Sequence, residues 1–109
     1  MLIDTDTLNE LKEIMGSDFD ELISIFISDG NTQIENLRLA IDASNSSDIR
    51  RIAHTLKGSS ANIGVSTLSE SCRVLEYKAA EDSLEDAQEL LDKIISNFEA
   101  VKKTLEEYF

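Results

Sequence analysis

Apolar residues recur along this chain in steps of three and four, the period of a helix with one buried face, and little interrupts them. Leu8, Leu11, Ile14 and Met15 predict a short helix from about Asp6 to Met15, stopped by Gly16. Ser17 is placed to cap a long second helix with the buried stripe Phe19, Leu22, Ile23, Phe26, Ile34, Leu37 and Ile41. Gly30 lies on that stripe, where it marks a close helix crossing or a mild bend. Ile25, Ile27 and Leu39 fall off the stripe, either to pack on the first helix or to join a docking patch. The cluster Ser44-Asn45-Ser46-Ser47 reads as a loop, and Ser46 or Ser47 is positioned to cap a third helix that runs to about Ile63. Gly64 is its expected left-handed cap. A fourth helix from about Ser66 buries Leu68, Cys72, Leu75 and Ala79. After a loop at Glu81-Asp82-Ser83, Ser83 and Asp86 have the spacing of a capping box. The last helix repeats Ala87, Leu91, Ile94, Phe98, Val101, Leu105 and Tyr108 in alternating fours and threes.

Proline is absent and only four glycines occur, so helix breakers are scarce. Four long amphipathic helices with short connections predict an all-α fold, an antiparallel up-down four-helix bundle with a short additional N-terminal helix across one end. The expectation is one domain over residues 1–109, long enough for one core and too short for a second.

Charge narrows the partners. With 22 acidic against 10 basic residues, a net charge of -12, the field of the whole chain repels nucleic-acid phosphates and anionic membranes, so neither is expected as a partner. No apolar run reaches membrane-spanning length, and Met1-Leu2-Ile3-Asp4 lacks a basic stretch before a greasy one, so a cytoplasmic location is expected. Cys72 is the only cysteine and fits a small core residue in a reducing compartment. One cysteine and one histidine cannot build a zinc site within one chain, and no recognisable carboxylate spacing suggests another metal; no cofactor is expected. The acidic run Glu81, Asp82, Glu85, Asp86 and Glu89 reads as a solvated helix start.

The candidate chemistry lies in the third helix. Advancing by ~100° per residue gathers Ile49, Ile52, Ala53, Leu56 and Ile63 on one arc, with Ser59 and Ser60 at its borders. His54, the single histidine, points away from that arc together with Arg50, Arg51, Lys57, Gly58 and Ala61. Residues 47–64 hold Arg50, Arg51 and Lys57 against Asp48 alone, an excess of +2 inside an acidic chain. Gly58 costs about 1 kcal/mol relative to alanine in a helix interior and brings no folding benefit visible in the sequence. Access for an incoming group beside the ring explains it. An exposed imidazole nitrogen with open space and cations nearby suits attack on a phosphoryl group. A hydrolase would need a second nucleophile or activated water and an oxyanion hole, and Ser59 and Ser60 lean toward the core. A helical adaptor that binds its partner without covalent chemistry is the alternative reading.

The run Ala53-His54-Thr55-Leu56-Lys57-Gly58, followed by Ala61-Asn62-Ile63-Gly64 and then Leu68, Cys72, Leu75 and Glu76, resembles the signature of histidine-containing phosphotransfer (HPt) domains of multistep phosphorelays. The resemblance implies that His54 accepts a phosphoryl group through Nε2 from the aspartyl phosphate of a response-regulator receiver domain and passes it to another receiver. It implies receivers of a hybrid sensor kinase and of a downstream regulator as partners, with magnesium supplied by the receiver and the chain acting as a monomer. Lys57 would bind phosphoryl oxygens, Gly58 would give access, and Arg50 or Arg51 would steer the partner's acidic rim. Glu76 stands where similar domains often carry glutamine or another polar residue, and would accept the Nδ1 proton and orient the ring. No ATP-binding loop or kinase motif is present, so the chain reads as a carrier rather than a kinase.

Overall fold

The computed structural model describes residues 3–108; the side chain of Tyr108, the last position of the expected stripe, lies outside the described set. It contains five helices, α1 (Thr5–Met15), α2 (Asp18–Asp42), α3 (Ser46–Asn62), α4 (Ser66–Ala80) and α5 (Ala87–Tyr108), and no strand among the described residues. Helices α2, α3, α4 and α5 close a ring in which each touches two neighbours, and α1 packs against α2. The short connections force neighbouring helices to run antiparallel, giving a bundle 42 Å long and about half as wide.

The core runs along the bundle axis through Phe19, Leu37, Leu56, Leu75, Leu91, Ile94 and Phe98, all essentially sealed from solvent. Each such side chain contributes roughly 1.5–3 kcal/mol of hydrophobic stabilisation. Gly30 is buried where α2 meets α5, because a Cβ there would overlap the Phe98 ring, so the close-crossing reading of this glycine is the correct one. Leu22 and Ile41 are only partly buried, and Ala40 takes a core position in α2 instead. Ile14 does not join the buried side of α1; it is 82% exposed, while Leu8 alone in that helix is fully buried. Ile27 packs against the core, whereas Ile25 and Leu39 face solvent.

Helix ends show where local chemistry overrides pattern. Asp4 accepts hydrogen bonds from the Asp6 and Thr7 amides at 3.1 and 3.2 Å and starts α1 one residue earlier than the apolar spacing indicates. Ser17 occupies the cap position of α2 but makes no capping hydrogen bond, since its backbone is already helical at φ -65°, ψ -20°. Asn45, not Ser46 or Ser47, caps α3: its side-chain Oδ1 accepts from the Asp48 backbone amide at 3.1 Å and its side-chain Nδ2 donates to the Asp48 carboxylate at 2.9 Å. Ser83 and Asp86 form no capping box. The Ser83 hydroxyl donates to Glu85 and the Asp86 carboxylate pairs with Lys78 at 3.3 Å, so α5 begins only at Ala87.

Three helices close with one motif, in which a residue at positive φ returns two amides to the last turn. At the end of α3, Gly64 (φ 79°) donates to Ala61 and Val65 to Ser60. Ser44 (φ 51°) and Asp82 (φ 56°) do the same for α2 and α4. The Gly64 turn also fixes α1, because the Asp4 amide donates to the Gly64 carbonyl at 2.8 Å and Thr7 would lie 3.0 Å from a Cβ at Gly64. At the opposite end, Ser46 hydrogen-bonds Asp82 and ties the α2–α3 connection to the α4–α5 connection.

Candidate functional site

His54 sits in the middle of α3 because Ile49, Ile52, Ala53 and Leu56 consume the buried arc of that helix. What remains of the circumference faces out, and the His54 side chain is 67% exposed. Thr55 donates to the Arg51 carbonyl one turn back, a local bond that leaves the ring's surroundings open. Ser59, half-buried, and Ser60, buried, both donate to the Leu56 carbonyl, at 3.2 and 2.7 Å, so neither hydroxyl is engaged with the histidine.

The ring is oriented from the neighbouring helix. Glu76, on the face of α4 that meets α3, brings Oε2 to 2.7 Å from His54 Nδ1 and Oε1 to 2.7 Å from Lys57 Nζ. One carboxylate therefore bridges two side chains a helical turn apart. An ionised carboxylate can only accept, so Nδ1 carries a proton, and in the neutral ring the lone pair is on Nε2. Nε2 has no hydrogen-bond partner among the described residues, on a side chain that is largely exposed. Glu76 is mostly covered, at 19% exposure, and the Lys57 hydrogen bond holds its carboxyl below the usual carboxylate range, opposed by burial and helped by His54. From α4, Ser69 also donates to the Lys57 carbonyl at 3.1 Å and fixes the backbone under that lysine.

This arrangement changes the electrostatics inferred from the sequence. The cations counted along α3 do not stand unopposed around the ring: Lys57 leans onto Glu76, and Arg51 lies 3.7 Å from Asp48. Arg50 is exposed with no ion pair recorded among the described residues. Gly58 is exposed one turn beyond His54, and a Cβ built there meets nothing within 4 Å. The site thus joins His54, Lys57 and Glu76 in direct contact, leaves Gly58 as open floor beside them, and holds Arg50 and Arg51 one turn away on the same face. Ser69 is the contributor that pattern reading missed; a serine at the edge of the α4 stripe carried no signal of its partner.

Next to Arg51, the exposed Leu39 lines a groove between α2 and α3 with Ala40, Ala43 and Ile52. Cys72 lies one turn before Glu76 but is sealed in the core, and burial, with the Glu76 charge as a smaller cause, pushes its thiol up to about 12. It is inert beside this chemistry. Among the described residues no group of three or more His, Cys, Asp or Glu side chains could hold a metal ion, and no helix is long and apolar enough to cross a membrane.

The depressed Glu76 carboxyl has a consequence for stability. As pH falls, the unfolded chain takes up this proton near the ordinary value of 4.5 while the folded chain still excludes it. The stabilisation is therefore full above that range and lost as pH drops through the folded value. Glu76→Gln is expected to flatten the acid limb of a urea-midpoint profile between about pH 3 and 6; an unchanged slope would mean that the bridge stores no pH-dependent stability.

A family model described as Hpt domain matches residues 21–107. Chemotaxis protein CheA of Borreliella burgdorferi is 31% identical over 85% of this chain, which spans only 12% of that protein's length. Pseudo histidine-containing phosphotransfer protein 2 of Oryza sativa subsp. japonica is 28% identical over 94% of this chain and 70% of its own. The crystal structure of histidine-containing phosphotransfer protein B from Pseudomonas aeruginosa PAO1 superimposes with a TM-score of 0.96 at 27% identity, covering 98% of this chain and 93% of that one. A maize histidine-containing phosphotransfer protein, at 21% identity and a TM-score of 0.87, shares the fold.

Proposed function

This chain belongs to the Hpt domain family, and from that premise we propose that His54 is the phosphoacceptor of a two-component phosphorelay, taking a phosphoryl group from a receiver-domain aspartyl phosphate and returning it to another receiver. The observation that carries the reading is the environment of one ring: Nδ1 is held by Glu76 at 2.7 Å, while Nε2 has no partner among the described residues and 67% of the side chain is exposed beside an open glycine. In the forward step the Nε2 lone pair forms the N–P bond, and the P–O bond to the aspartyl carboxylate breaks with its electron pair leaving on that carboxylate. Gly58 admits the receiver's active-site wall. Lys57 can release Glu76 toward phosphoryl oxygens, and Arg50 and Arg51 steer an acidic rim. The magnesium ion of the transfer belongs to the receiver. The chain acts in the cytoplasm as a monomeric carrier without ATP-dependent kinase activity, between a hybrid sensor kinase and a downstream regulator.

The test is direct. Incubation with a phosphorylated receiver should label the protein with an acid-labile, base-stable phosphoramidate, and His54→Ala should remove all of it. Receiver binding without any label in the wild-type protein would refute the carrier and favour the adaptor; release of free phosphate without a labelled intermediate would favour hydrolysis.

The groove beside the site supplies the docking surface in this reading. Leu39 is 58% exposed, so Leu39→Glu removes little core packing. The substitution is expected to weaken receiver binding by roughly tenfold, about 1.4 kcal/mol, with the urea midpoint nearly unchanged. Titration calorimetry against a receiver checks it, and unaltered affinity would move the docking surface elsewhere.

A further inference from the structure

Two contacts pin the edge of α4 that faces α3: the Ser69 hydroxyl donates to the Lys57 carbonyl at 3.1 Å, and the Glu76 carboxylate takes Lys57 Nζ at 2.7 Å. Arg73 lies four residues after the first pin and three before the second, so the helical period sets it on the same edge, about 6 Å along the axis from Ser69 and about 4.5 Å from Glu76. It is therefore level with the turn of α3 that carries Lys57 and Gly58. Gly58 puts no side chain in between, since a Cβ there meets nothing within 4 Å. Arg73 spends its guanidinium on Glu70, with Nε at 2.9 Å from Oε2 and Nη2 at 2.6 Å from Oε1, a bidentate pair within one turn whose two side chains are both more than half exposed. An exposed pair of this kind is held weakly against water, and the fork that fits a carboxylate also fits phosphoryl oxygens.

On the carrier reading of His54, we propose that Arg73 is a phosphoryl clamp: when His54 is loaded, the guanidinium leaves Glu70 and crosses the Gly58 floor to two phosphoryl oxygens, Glu70 being the anion that parks it in the unloaded protein. No covalent bond changes in this exchange. One bidentate ion pair is given up and another formed, and the phosphoryl group carries more negative charge than the single carboxylate it displaces. The other cations near the ring are less well placed for the role. Lys57 already holds the Glu76 carboxylate, and Arg51 lies against Asp48. Arg50 sits on the other side of the ring from Gly58, one turn toward the start of α3. Arg73 instead approaches from the second helix. Glu70 borders the cleft that Ala61, Gly64, Ser66 and Ser69 line between the same two helices, so it draws the fork along that cleft, away from the ring, until the phosphoryl group arrives.

The experiment loads the full chain with phosphoramidate, a small-molecule donor that needs no receiver, and measures the initial rate of His54 labelling together with the nitrogen-15 resonance of Arg73 Nε. Loading is expected to shift that resonance, which is identified by its absence in Arg73→Lys. Arg73→Met is expected to label about three- to tenfold more slowly than wild type and Arg73→Lys to recover only part of the loss, while Glu70→Gln labels at or above the wild-type rate. The double variant separates a clamp from a distant charge effect. With a clamp, Arg73→Met combined with Glu70→Gln is as slow as Arg73→Met alone, because Glu70 acts only through the guanidinium; charge effects at a distance would cancel and restore the wild-type rate. Both side chains are exposed, and circular dichroism verifies that every variant remains helical. An Arg73 resonance unmoved by labelling, an Arg73→Met rate equal to wild type, a Glu70→Gln rate below it, or a double variant restored to it would each overturn the proposal. A His54 that takes no label would end the clamp and the carrier together. A clamp signature that stands while phosphorylated receivers fail to exchange with His54 would count against the carrier reading alone.

Discussion

Gly58→Ala is expected to raise stability by up to about 1 kcal/mol, while Gly58→Leu slows phosphoryl exchange at His54 by roughly tenfold or more without unfolding the bundle. The two outcomes come from one observation. Gly58 lies inside α3, one turn from His54, and a Cβ added there meets no atom within 4 Å. The folded chain gains nothing from the missing side chain and loses the backbone entropy that alanine would save. In the proposed function, a substituent that is harmless to the isolated protein still occupies the space a partner's active site would need beside the ring. If the partner approaches Nε2 over this floor, as the proposed function requires, a leucine there adds an approach penalty of about 1.4 kcal/mol per factor of ten. Urea denaturation and the time course of label transfer from a phosphorylated receiver measure the two effects separately. A Gly58→Ala protein less stable than wild type would show that the glycine serves the fold, and a Gly58→Leu protein with unaltered kinetics would remove the access argument.

The arcs of α3 and α4 were legible in the sequence because they depend on one variable, the period of apolar residues, and that period is clean where both faces of the helix are committed. Ile49, Ile52, Ala53 and Leu56 point His54 outward without reference to any other helix. Leu68, Cys72, Leu75 and Ala79 likewise set the buried side of α4. Contacts between helices were less readable. Glu76 could be aligned with the ring, but its second oxygen on Lys57 depends on the relative height of α3 and α4, which no local pattern encodes. Hence a local count of cations suggested a positive site that the bridging carboxylate offsets. Helix ends failed for a different reason. Several side chains compete for the same orphan amides, and Asn45 prevails over Ser46 and Ser47 because it can accept from the Asp48 amide while donating to the Asp48 carboxylate. The left-handed residues that end α2 and α4 are Ser44 and Asp82 rather than glycines, so only the Gly64 member of the set announced itself.

The second helical glycine predicts the opposite result. Gly30→Ala is expected to destabilise the protein by roughly 1–3 kcal/mol even though the substitution improves helix propensity by about 1 kcal/mol. A Cβ at position 30 would overlap Cε1 of Phe98 and come within 2.6 Å of its Cζ. That ring has nowhere to go. It is 1% exposed, lies tilted against Phe26 with centroids 6.0 Å apart, and is held under Lys102, so relief requires α2 and α5 to separate. Separation would open packing along the whole α2–α5 seam, which is why the penalty exceeds the propensity gain. The cause can be isolated by shrinking the ring. Phe98→Leu alone is expected to cost about 1 kcal/mol or more through lost contacts, and combined with Gly30→Ala it should be less harmful than the two changes summed, by 0.5 kcal/mol or more on the usual scale of touching residues. Urea unfolding of the four proteins in this cycle measures the coupling. Additive effects would mean that position 30 and the Phe98 ring do not compete for one volume. A coupled result would fix the α2–α5 approach as the reason a glycine is tolerated in the middle of the longest helix.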